Sequence, residues 1–127
     1  MAPDFLQLAD VLLIHADQID RYGGESAVRE VGLLESAIAQ PRATIEGAFL
    51  HRDVFEMAAA YLFHLVQNHP FVDGNKRTGA ATALVFLELN GVAIEADEDD
   101  FAALVLDVAQ GRADKARIAE YFRAASV

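Results

Sequence analysis

Residues 54–89 read VFEMAAAYLFHLVQNHPFVDGNKRTGAATALVFLEL, and the fold follows from how that stretch divides. Val54–Val66 and Gly79–Leu89 are apolar nearly all round, the pattern of helices covered on every side rather than resting on a surface. Asp53 suits an N-cap, and Glu56 three residues on predicts a capping box. Asn90-Gly91 supplies a stop for the second helix. Between the two lies His69–Thr78, the one polar, Gly- and Pro-containing segment held at both ends by the most hydrophobic sequence in the chain. A loop anchored by a rigid core is where chemistry is usually placed.

Outward from this pair the chain remains helical. Apolar residues recur at three- and four-residue steps from Phe5 to Ile19, predicting an amphipathic helix ended by Tyr22-Gly23-Gly24. Pro3 stands where a first-turn proline does no harm. A short helix over Leu33–Gln40 is stopped by Pro41. Arg42–Arg52 has no clean period and predicts a loop with a turn at Glu46-Gly47. Two further amphipathic helices are expected over Asp99–Gln110 and Asp114–Ala124, the first with the acidic run Glu95–Asp100 at its dipole-favoured N-terminus. No strand is expected beyond a two-residue extended piece at Ala93-Ile94. The prediction is therefore an all-α fold of about six helices, a single domain over residues 1–127, with four amphipathic helices around a buried central pair.

Composition narrows the function. Of 127 residues, 54% are hydrophobic and none is cysteine, which allows a real core and excludes disulfides and thiolate metal sites. That fits a reducing cytoplasm. No basic n-region precedes the first apolar stretch, and no segment nears the roughly 18 apolar residues of a membrane span. Twenty acidic against ten basic side chains give a net charge of −10. Such a field repels phosphate backbones and argues against a general nucleic-acid binder. The adjacent cations Lys76 and Arg77 therefore need a local reason.

That reason is a phosphate. Asp73-Gly74-Asn75 fall at a helix start, where the first amide hydrogens lack helical partners and the dipole is positive. Gly74 lets a ligand approach the backbone closely. The Asn75 side-chain amide and the Lys76 and Arg77 cations complete a cradle for several phosphates, with arginine suited to bidentate contact. Polyphosphates travel with Mg²⁺, and Asp73 is the one carboxylate in the cradle to hold it. Phe71 is expected to plug the core as an anchor. His69, at the end of the preceding helix, is left facing the phosphates, where imidazole can take a hydroxyl proton near neutral pH.

The motif HPFVDGNKRT resembles the signature of the Fic/Doc superfamily, and within it the death-on-curing (Doc) branch. Tyr22-Gly23-Gly24, Val28-Arg29, Gly32–Ala37 and Phe86–Gly91 resemble the same branch, so the likeness covers most of the chain. It implies the all-helical Fic fold with the signature loop between two central helices. It also implies His69 as general base, Asp73 as Mg²⁺ ligand, Gly74 and Asn75 as anion hole, and Arg77 as phosphate clamp. Most Fic enzymes transfer AMP to a protein hydroxyl. Their motif has glycine where this chain has Lys76, and a second arginine where it has Ala80. Both departures match the Doc branch, whose lysine is associated with ATP held in reversed orientation. The resemblance thus favours transfer of the γ-phosphate of ATP, a kinase, over adenylylation. It further implies a toxin of a toxin–antitoxin pair, with an antitoxin in trans and a host protein as substrate, the translation machinery being one candidate. Ser26–Glu30 comes nearest to the inhibitory helix of other Fic enzymes, but Val31 stands where Gly or Asn belongs, which predicts no self-inhibition.

Plainer readings compete. A lone histidine is more often structural, Asp73 could serve only as an N-cap, and Lys76 and Arg77 could be a solvated helix face. A non-catalytic module that only binds a partner through the groove is the rival function. His15, His51 and His64 are expected on the surface or in packing, and Glu35 in a packing or capping role.

Overall fold

In the computed structural model, which describes residues 2–127, six helices form from the expected segments. They are α1 Leu8–Tyr22, α2 Val31–Ala39, α3 Val54–Asn68, α4 Asn75–Leu89, α5 Glu98–Ala109 and α6 Lys115–Ala125. α3 is the axis of the molecule, packing against α4, α6, α2 and α5. Its Met57–Leu62 run, Leu65 and Val66 are all buried. One contiguous apolar core joins Val11, Leu34, Leu65, Phe86, Leu104 and Phe122, so every helix contributes to it. α4 is less covered than its apolar sequence predicts. It packs on α3, α1 and α5, leaving Val85, Glu88 and Leu89 exposed.

The central pair is pressed together at Gly79. A Cβ built there would stand 2.9 Å from Cγ2 of Val66 and 3.3 Å from the carbonyl oxygen of Leu62. Glycine is thus required by the approach of two helices rather than by backbone conformation.

Several boundaries differ from the sequence expectation, each for a local reason. α1 begins at Leu8 rather than Phe5 because Gln7 and Asp10 close a reciprocal capping box, leaving Pro3 outside the helix. α4 begins at Asn75, ahead of its apolar run but at the helix start expected at Asp73-Gly74-Asn75, with left-handed Gly74 (φ 82°) as its cap. Asp53 does cap α3, accepting from the Glu56 amide, but the Glu56 carboxylate reaches back to the Arg52 amide instead of Asp53. Glu35 is exposed in mid-helix; the capping role at α2 belongs to Glu30, which accepts from the Gly32 amide.

A 3-10 turn, Gln40–Arg42, follows α2 where the helix was expected to stop, and the segment expected as a loop contains a small antiparallel pair, β1 Thr44–Ile45 with β2 Ala48–Phe49. The expected turn lies between them, with Glu46 (φ 52°) and Gly47 (φ 82°) both left-handed, the geometry of a tight two-residue hairpin. Strands of two residues are too short to show a period. Ile94 forms an isolated bridge with Ser126, consistent with its expected extended piece.

Away from the loop, the histidines are packing residues. His51 is buried and its Nε2 has no partner. Lys115 donates to His64 Nε2 over 3.4 Å. Burial first, then the charge of Lys115 and the proximity of His51, push the His64 pKa down to about 4. Burial likewise lowers that of His51. Tyr61, whose hydroxyl accepts from the Leu6 amide at 2.9 Å, is pushed up to about 12 by burial.

Two predictions follow from this packing. Gly79→Ala should lower the thermal midpoint, because overpacking costs about 1–3 kcal/mol against about 1 kcal/mol of recovered helix propensity. In acid, the unfolded chain protonates His64 near the ordinary value of about 6.5 while the folded chain resists until about pH 4. Stability is therefore full above about pH 6.5 and declines as pH falls towards 4. Thermal melts across that window should show the decline, and His64→Gln should flatten it.

Candidate functional site

The loop between α3 and α4 opens on an energetically costly residue. His69 terminates α3 in the left-handed region, φ 52° and ψ 53°, a conformation that costs a non-glycine residue about 1–3 kcal/mol unless its surroundings impose it. The surroundings do impose it. The Arg29 guanidinium donates through Nε to the His69 carbonyl at 2.8 Å and through Nη2 to the Asn68 carbonyl at 3.0 Å. These are orphan carbonyls at the negative end of a helix, where a cation is favoured. The amides of Arg29 and Glu30 both donate to Pro70 O.

Phe71 is fully buried, as expected of an anchor. The ring of His15 lies flat against it, centroids 3.7 Å apart and planes within 6°. His15 Nε2 is also 2.9 Å from the Asp73 carbonyl. A carbonyl only accepts, so that nitrogen carries the proton. Asn75 behaves differently from its expected role. Its side-chain Oδ1 accepts from the Phe71 amide and its Nδ2 donates to the Phe71 carbonyl, both at 2.9 Å. The amide laces the loop shut instead of facing a ligand, so Asn75 can contribute to an anion site through its backbone.

The connection from Gly23 to Glu30 forms a strap across the loop. The Val72 amide donates to Ala27 O, Val28 bridges Phe71, and the Glu25 amide donates to Oδ2 of Asp73 at 2.8 Å. Arg77 Nη2 donates to the Gly23 carbonyl at 3.0 Å, and its guanidinium lies 5.4 Å over the Tyr22 ring. Arg77 is thus half-buried and tethered to the C-terminal end of α1, in contrast to the free clamp the sequence suggests.

What remains open to a ligand is coherent. The first α4-closing bond runs from the Thr78 amide to Gly74 O, so the amides of Asn75, Lys76 and Arg77 precede the helical ladder. Lys76 is exposed and makes no ion pair among the described residues. A cleft of about 180 Å³ is lined by Val66, His69, Val72, Asp73, Gly74, Asn75, Lys76 and Ala109. A second hollow of about 260 Å³ continues it along Gly74, Asn75, Lys76 and Arg77. His69, Asp73 and Lys76 thus share one cleft, and Arg77 borders only its continuation. A larger hollow of about 600 Å³ lies elsewhere, between Phe63, Asp107, Arg112 and Arg117; no imidazole lines it.

Asp73 is not the helix cap, which is Gly74. One of its carboxylate oxygens is bound to Glu25 and the side chain is exposed. No cluster of three or more His, Asp or Glu suited to a metal lies among the described residues. A cation here would rest on a single carboxylate plus ligand oxygens and water, a donor set that suits Mg²⁺ accompanying phosphates. The sequence reading missed the support: His15 and Arg29 act through ring stacking and carbonyl contacts, and only the motif-like pair Val28-Arg29 hinted at either.

The sequence model described as the Fic/DOC family matches residues 5–87. Over 78 residues, 61% of this chain, it is 49% identical to "Toxin Doc" of Mycolicibacterium smegmatis, a match spanning 60% of that protein's length. Over 114 residues, 90% of this chain and 89% of the relative, it is 32% identical to "Protein kinase doc" of Escherichia phage P1.

The lacing by Asn75 makes a structural prediction. Asn75→Ala strands a buried amide and carbonyl of Phe71, each worth about 1–3 kcal/mol when unsatisfied. Hydrogen exchange at the Phe71 amide should accelerate and the thermal midpoint should fall, even without any ligand.

Proposed function

This chain belongs to the Fic/DOC family, and we propose that it is a Doc-like toxin, acting in the cytoplasm, that phosphorylates a host protein. ATP is the donor, a Ser or Thr hydroxyl the acceptor, and an antitoxin in trans the restraint. The observation that carries the reading is the shared cleft of His69, Asp73 and Lys76 over the free amides of α4.

Each group has a task that chemistry assigns. The amides of Asn75, Lys76 and Arg77, with the Lys76 ammonium, bind phosphate oxygens. Gly74 starts the helix from the left-handed region, and a Cβ there would stand 3.1 Å from Cδ1 of Ile19 on α1, so glycine fits both the turn and its packing. Mg²⁺, held by Asp73, would neutralise phosphate charge. His69 accepts the proton of the attacking hydroxyl. The hydroxyl oxygen bonds to the γ-phosphorus, the bond to the β–γ bridging oxygen breaks, and ADP departs. Arg77 reaches a phosphate from the second hollow by using guanidinium hydrogens not committed to Tyr22 and Gly23.

Two features favour γ over α transfer. Lys76 places a four-carbon stem and a charge where adenylylating relatives have glycine, obstructing the pose that would present the α-phosphate. Ala80, where those relatives have a second arginine, packs on the apolar core and offers no phosphate contact. The name of the phage relative, "Protein kinase doc", points the same way.

The test uses bacterial extract as substrate and ATP labelled at either the α or the γ position. Label from γ alone should enter protein, and His69→Ala should reduce it by about 10²–10⁴-fold with an unchanged melting curve. Incorporation of α label would replace the kinase with an adenylyltransferase. Incorporation of neither would leave a binding module.

A further inference from the structure

His69 is held by its backbone alone. No hydrogen bond to its ring is present among the described residues, and the residue is exposed. A proton acceptor so placed depends on whatever fixes its main chain, and here a single residue does most of that. Arg29 binds three consecutive carbonyls: Asn68 through Nη2, His69 through Nε and Pro70 through its own amide. The forked geometry of guanidinium suits two parallel acceptors in a way that an ammonium does not. Arg29 has no carboxylate partner among the described residues, so its charge serves these carbonyls at the negative end of α3.

We infer that Arg29 is the positioning residue for His69, setting the left-handed turn from which the imidazole enters the cleft. This rests on the reading of His69 as base. Arg29 lines neither hollow at the loop, so it acts through His69 and not on the nucleotide.

The consequence is a split between turnover and binding. Misplacing a catalytic group by about 1 Å can cost about 10²-fold, so Arg29→Ala should lower kcat by about 10–10²-fold while KM for ATP stays near wild type. Arg29→Lys keeps the charge but not the fork and should fall between the two. Added guanidinium chloride, at concentrations that leave wild type untouched, should restore part of the activity of Arg29→Ala and none of that of His69→Ala.

A second readout needs no activity. In NMR spectra of the histidine-labelled protein, Arg29→Ala should shift or broaden the His69 ring signals and leave those of His64 in place. Unchanged His69 signals, or a kcat equal to wild type, would overturn the assignment. So would a loss expressed wholly in KM or matched by a collapse of the melting curve. If wild type transfers no label, the functional reading has failed, and the His69 signals still decide whether Arg29 fixes that residue.

Discussion

Everything at the candidate site hangs from the contact of α3 with α4 at Gly79, where the helices come so close that no Cβ fits between them without displacing Val66 or the Leu62 backbone. That approach sets the span the connecting residues must cross. Asn68 to Asn75 has to reverse direction, leave an imidazole at one lip and begin a new helix at the other. Ordinary turn chemistry does not achieve this. It takes a left-handed histidine, a left-handed glycine, a buried phenylalanine and an asparagine that mimics a strand partner for it.

The loop is shaped by neighbours that line neither hollow beside it. The Gly23–Glu30 strap supplies backbone pairing, Arg29 ties down the end of α3, and His15 presses on Phe71 while binding the Asp73 carbonyl. The result is a short row of amides outside the helical ladder beside the exposed ammonium of Lys76, within a protein whose net charge is −10. Long-range attraction for a polyphosphate is therefore poor. Recognition must come from close-range donors at the start of α4, which favours a ligand with several phosphate oxygens over any extended anionic surface.

Much of this was legible in the sequence, though unevenly. The apolar runs 54–66 and 79–89 announced the central helices, since hydrophobic pattern is what burial acts on. The start of α4 was read from Asp73-Gly74-Asn75 and not from the apolar pattern, because Asn75–Thr78 is polar and helical together. The hairpin at Thr44–Phe49 escaped because four strand residues carry no period. His69, Asp73 and Lys76 could be gathered from spacing alone. The aim of the Asn75 amide and the tether of Arg77 could not, because both are settled by carbonyls, and every residue has one. The strap was invisible for the same reason: its bonds run between main chains that the sequence does not distinguish.

The separation along the chain of these partners has its own consequence. His15 and Asp73 are 58 positions apart, and Arg77 and Tyr22 are 55 apart, so the loop acquires its shape only after long chain closures that local structure does not assist. During synthesis, the ribosome can release α1, the strap and all of α3 while the site is still unformed. It comes into being late, when α4 docks. A fragment that retained residues 54–89 but lost the first thirty would display the whole recognisable motif and lack the scaffold that bends it. For this family member, the unit that mutation, truncation or fusion must respect is the motif together with its distant N-terminal strap.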